Sequence, residues 1–207
     1  MIDMASIRKS SWDIAAKLTF ARNDALPLLD DMTISRSPDE IVDRVFGMLC
    51  LAASAYGVDR KRALAWLERE GNPEALTLQE REFLGGSQMN PTLFMEQIEG
   101  MWALCWCLKI VPDLDFSKPC AAGFSKLLPD LKKDEASAAF REKVCLRYFE
   151  EIVAKCDLAY CLHWGLVHQG LSDKQNKTIK AHVIVERRRA LEWLFSDENW
   201  DAVLLDT

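Results

Sequence analysis

Met101-Trp-Ala-Leu-Cys-Trp-Cys-Leu108 decides how this chain folds: an unbroken apolar run carrying two of the seven tryptophans. Phe94, Ile98, Met101, Trp102, Cys105 and Leu108 recur behind Pro91 at three- and four-residue intervals, a spacing that predicts a helix over Pro91–Val111. From Met101 onward Leu104, Trp106 and Cys107 fill the opposite side as well. A helix apolar all round has to be enclosed by other helices, and this run is far too short to span a bilayer. Pro112 withholds a donor and crowds the residue before it, so the helix is expected to stop there. Truncating Trp102 or Trp106 to Ala in such a setting costs roughly 3–5 kcal/mol.

The composition outside that run bounds the rest. With 207 residues and 49% hydrophobic content, the chain can bury a substantial core. No long Gly, Ser or Pro linker divides it, which predicts a single helical domain over 1–207, with residues 1–33 forming a peripheral helix and turn. A formal net charge of -6 opposes bulk attraction to nucleic acid or anionic lipid and suits a basic protein partner. The start, Met1 to Ser10, lacks the apolar core of a signal peptide, and no run approaches membrane-spanning length, so a cytoplasmic location with reduced thiols is expected. The seven cysteines then read as small buried hydrophobes.

Working along the chain, Ser6–Arg22 is an uneven amphipathic helix and Asn23–Thr33 a turn. Ser37-Pro38-Asp39-Glu40 joins a Ser cap, a first-position Pro and first-turn acids, a strong helix start, and Ile41, Val45, Met48, Leu49 and Ala52 follow as its stripe. Asp59–Glu70 is a further helix stopped by Gly71-Asn72-Pro73, and Leu78–Leu84 a short one. After Pro112 the chain is irregular as far as Pro129. Lys133 then opens a long helical stretch, Arg141–Gln169, whose apolar part Leu158–Val167 is expected to lie against the Trp102/Trp106 helix. Gly170 ends it, Ser172 caps the next, and Ile179–Phe195 is the last helix, clamping the interior through Trp193 and Trp200. No run of alternating residues suggests strands. The expected fold is all-α: a single-domain multi-helix bundle with a tryptophan-rich central helix. Arg62-Ala-Leu-Ala-Trp66-Leu67 and Arg189-Ala-Leu-Glu-Trp193-Leu194 echo one another, but the likeness does not spread outward, and convergence explains it better than a repeat.

Several blocks carry a family resemblance. Glu186-Arg187-Arg188-Arg189-Ala-Leu-Glu-Trp193-Leu with Asn199-Trp200-Asp201 and Asp206-Thr207 resembles the bacterial family catalogued as domain of unknown function 4272. Ser37-Pro38-Asp39-Glu40-Ile41 with Arg44, the Trp102/Trp106 run, Pro119-Cys120 and Asp157-Leu-Ala-Tyr160-Cys-Leu-His163-Trp164 resemble that family's blocks in the same order. The sequence departs from the pattern at Glu96-Gln97-Ile98-Glu99, where the family has a Trp-Arg-x-Glu lead-in, and at Lys109, where it has a Gly. The resemblance implies a helical bacterial protein and no particular activity.

The ionisable residues near this core define a candidate polar cluster: Glu99, Arg147, His163, Glu186, Arg187, Arg188, Asp201 and Asp206. Glu99 lies one turn before the apolar run, where an unpaired carboxylate is costly, so a basic partner is expected from Arg147 or the Arg187/Arg188 pair. Asp157, Cys161 and His168 share a helical face, but their spacing is not that of a structural zinc site, and no metal or cofactor is expected. The chain has no nucleophile elbow, P-loop or zinc-protease motif. The basic stretch Lys174–Arg189 is followed closely by Asp197, Glu198, Asp201 and Asp206, which favours internal compensation over a nucleic-acid surface. The leading functional reading is a non-enzymatic protein-binding module, of the kind formed by an immunity or accessory partner of another bacterial protein. The competing reading is a small helical enzyme of hydrolase type, using Glu99, His163 and Arg187.

Overall fold

Local capping chemistry fixes where the helices begin. In the computed structural model, which describes residues 2–171 and 179–206, α1 (Met4–Lys17) starts at Asp3, whose side chain accepts from the Ser6 amide. At α2 (Pro38–Ala55) the expected Ser37 cap is present, and Glu40 reaches back to the Ser37 amide to complete a reciprocal capping box. Asp59 caps α3 (Arg60–Glu70), and Thr77 with Glu80 forms a second box at α4 (Leu78–Leu84). No strand occurs among the described residues, so the chain is all-α as expected.

The expected Pro91–Val111 helix is two helices, α5 (Thr92–Glu96) and α6 (Ile98–Cys107), with a turn at Gln97. The Gln97 side chain is buried there and donates to Glu80 Oε1 at 3.4 Å. The stop also comes earlier than Pro112. Lys109 takes a left-handed φ of 58°, Ile110 N–H reaches back to the Cys105 carbonyl at 2.9 Å, and Lys109 N–H to that of Trp106 at 3.1 Å. That is a Schellman closure, made at a position where glycine is the usual residue. As the all-round apolar pattern predicts, every residue of α6 from Glu99 to Cys107 is buried.

The expected Arg141–Gln169 helix is shorter too. A one-turn α7 (Ala138–Arg141) is followed by non-helical chain, and α8 runs Phe149–Leu171. The reason lies at the end of α6, which leaves carbonyls without helical donors. Cys145 N–H donates to the Leu108 carbonyl at 3.2 Å and Arg147 N–H to that of Cys107 at 2.8 Å, a service that helical backbone cannot perform. Similarly, α1 stops at Lys17 rather than Arg22, with Thr19 left-handed at φ 66°.

The layering differs from expectation in one further respect. The apolar part of α8 does not lie chiefly against α6. Instead α9 (Ala181–Trp193) packs on α6 along one side and on α8 along the other, and α8 turns another face to α1. Gly100 permits the close approach: a Cβ there would stand 3.2 Å from the Glu186 carbonyl and 3.1 Å from Met48 Cε. The terminal clamp is present, with the Trp193 and Trp200 rings edge-on at 5.8 Å. One continuous apolar core runs through these elements. No helix among the described residues is long and apolar enough to cross a membrane. Ser172, expected to cap α9, falls outside the described residues.

Candidate functional site

Because α9 is enclosed on both sides, its consecutive arginines are both buried, Arg187 at 1% and Arg188 at 2% exposure. Arg187 turns to α6. Its Nε and Nη2 donate to Glu99 Oε2 at 2.9 and 2.6 Å, and Nη1 and Nη2 reach the carbonyls of Asp115 and Lys118 at 2.7 and 3.2 Å. Glu99 Oε1 accepts from the Cys120 amide at 2.9 Å. This single pair therefore joins α6, α9 and the loop that carries Pro119-Cys120. Arg187 is the partner Glu99 requires, and with both charges hydrogen-bonded the burial is tolerable.

Arg188 turns to α8. Nη1 contacts His163 Nδ1, Nε donates to Glu192 Oε1 at 2.6 Å, and the Leu205 and Asp206 carbonyls accept at 3.2 and 2.8 Å. Since guanidinium only donates, His163 must accept through Nδ1 and carry its proton on Nε2. Burial, then the Arg188 and Arg189 charges, push the His163 pKa down to about 4, which keeps it in that neutral form. Burial also raises the Glu192 carboxyl. Asp206 thus joins the cluster through its backbone rather than its carboxylate.

The remaining candidates stand elsewhere. Arg147 does not meet Glu99: its Nε donates to the Trp106 carbonyl at 2.6 Å and its Nη2 to those of Val111 and Pro112, capping the end of α6. Glu186 sits near Arg189 at 3.9 Å with its Oε2 buried and unpaired, and burial raises its pKa. Asp201 is exposed beside Trp200. The nominal ligand face dissolves as well, since Asp157 is fully buried in an ion pair with Arg8, while His168 stacks on Trp164 at 4.8 Å. Of the basic stretch, Lys174 and Lys177 lie outside the described residues, and His182 faces Glu96 at 3.7 Å. The acids after it do not fold their carboxylates onto the arginines; Arg36 takes the Glu198 carbonyl instead. The buried and half-buried thiols are poor nucleophiles: burial pushes Cys50 and Cys161 up to about 12 and Cys120 to about 11, with the Glu99 charge adding at Cys120.

Sequence reasoning missed two further buried ion pairs, Arg8–Asp157 and Arg44–Glu80. Arg44, 1% exposed, binds Glu80 through two bonds of 2.6 and 2.7 Å and lies over the Trp200 ring at 4.3 Å. The signal was present: Arg44 falls between Ile41 and Met48 at three- and four-residue spacing, on the buried stripe of α2. Arg44 also forms part of the wall of a cleft of about 680 Å³. The start of α2, the 72–81 segment and residues 198–202 enclose that cleft, and Trp193 and Trp200 contribute to its lining.

No curated protein and no solved structure matches the chain. The model of one family does match it, over residues 8–203, which runs from Arg8 within α1 through the Trp200 turn and takes in every buried ion pair described above. The chain is accordingly a member of the family described as domain of unknown function DUF4272.

Proposed function

We propose that this protein is a non-enzymatic, single-domain binding module that engages another protein in the bacterial cytoplasm, as an immunity or accessory partner does. The observation carrying this reading is the use to which the central ionisable residues are put. Glu99 accepts from Arg187 and from the Cys120 amide, His163 accepts from Arg188, and both arginines also donate to main-chain carbonyls, so each is engaged in holding helices and loops together. The net charge of -6 suits a positively charged partner. A hydrolase centred on Glu99, His163 and Arg187 is less well supported, because Glu99 lies on the α6 side of α9 and His163 on the α8 side.

The test combines affinity capture, with native mass spectrometry of what is retained, and assays against generic ester, phosphoester and peptide substrates. A stoichiometric protein complex without turnover is expected. Saturable turnover that His163→Asn or Arg187→Met abolishes in a variant that remains folded would overturn the reading.

A further inference from the structure

The cleft beside Trp200 has an uneven charge balance. Its wall carries three arginines, and each is already engaged within the chain. Arg44 is paired with Glu80; Arg36 donates to the Trp193 and Glu198 carbonyls and lies over the Trp193 ring at 4.6 Å; Arg81 holds the Leu76 carbonyl and Glu74. The exposed carboxylates of Glu198 and Asp201, by contrast, join no ion pair among the described residues. Glu40 adds a third negative charge, held only by its capping box and by Arg36 at 3.9 Å. Leu78 stands at the same rim with 75% of its surface exposed.

These features call for one kind of occupant: cations for the carboxylates and an aliphatic stem or side chain for Leu78. Arginine-bearing peptide supplies both. We infer that the cleft between the start of α2, the 72–81 segment and the 198–202 turn is the docking site for an extended, arginine-rich segment of the partner protein. This rests on the binding-module reading above and gives it a place and a ligand class. Carboxylates at a rim act mainly through association and register, so the interaction is sensitive to salt.

The probe is a short peptide of alternating Arg and Ala, titrated calorimetrically against the full chain, with a Glu–Ala peptide as the opposite-charge control. The native protein binds the Arg peptide and not the Glu peptide. Glu198→Lys with Asp201→Lys weakens binding at least about tenfold, since two attractions become repulsions. Asp13→Lys with Glu142→Lys, the same charge change at exposed sites off the cleft, weakens it less than about twofold. Equal weakening by the two pairs, or no binding to the native chain, overturns the assignment. If a captured partner is not displaced by the peptide, the binding-module reading survives and the cleft assignment falls.

Discussion

Arg187 and Arg188 are neighbours in sequence and serve opposite sides of one helix: Arg187 grips Glu99 of α6, and Arg188 meets His163 of α8. Successive helical residues point about 100° apart, so two adjacent buried side chains need a helix covered on more than one face. The sequence Arg187-Arg188 is thus what a helix at the centre of this arrangement requires, and α9 occupies that centre.

The burial of His163, together with its contact to Arg188, predicts a pH dependence. In the unfolded chain His163 protonates near 6.5, whereas in the fold it stays neutral down to about 4. Between those values the unfolded state binds a proton that the native state refuses, so stability falls as the medium is acidified, by about 3 kcal/mol at most. Glu186 and Glu192, raised by burial, work in the opposite direction, because their protonation on acidification favours the fold. Denaturant midpoints of the native protein and His163→Asn, compared across the range, isolate the histidine. The difference between them should change from pH 6.5 to 4; a constant difference would contradict the assignment.

Lys109 closes α6 in a left-handed conformation that costs an L-residue roughly 1–2 kcal/mol. The substitution Lys109→Gly removes that strain at the price of greater freedom in the unfolded chain and of the Lys109–Tyr148 contact at 4.8 Å. A net gain of ~0.5 kcal/mol, seen as a higher melting temperature, is expected, while Lys109→Val should lose stability. A glycine variant that melts below the native protein would refute the strain argument.

Thiol chemistry checks the burial pattern. Cys145 is exposed, Cys120 is half-buried against Glu99, and Cys50, Cys105, Cys107, Cys156 and Cys161 are buried. Alkylation under native conditions should mark Cys145 first and Cys120 far more slowly, with the rest protected until unfolding. Peptide mapping that found Cys105 or Cys107 labelled early would deny the enclosure of α6.

Much of this arrangement is written locally. Ser37, Asp59 and Thr77 announce their helices by side chains that cap three residues ahead, and the apolar run at Met101 announces its own burial. What escaped has a common cause: it depends on where distant backbone lies. The break before α8 exists to supply donors to Leu108 and Cys107, and the layering through α9 depends on the approach at Gly100, neither of which periodicity encodes. Within the candidate cluster, Glu99 announced its need for a cation, yet the choice of Arg187 over Arg147 was made by tertiary packing. Arg44 and Glu80 were overlooked because a charged residue on an apolar stripe reads as an interruption until its partner is known.

Whether the central charges are there to hold the helices together is tested most directly by a double-mutant cycle at Glu99 and Arg187, followed by chemical denaturation. Each side chain is about 98–99% buried, so Glu99→Gln and Arg187→Met, each leaving one charge behind, should cost roughly 3–5 kcal/mol apiece. The combined variant should lose less than the sum, with a coupling of about 1–3 kcal/mol. Single variants as stable as the native protein, or losses that simply add, would show that this pair does not join α6 to α9.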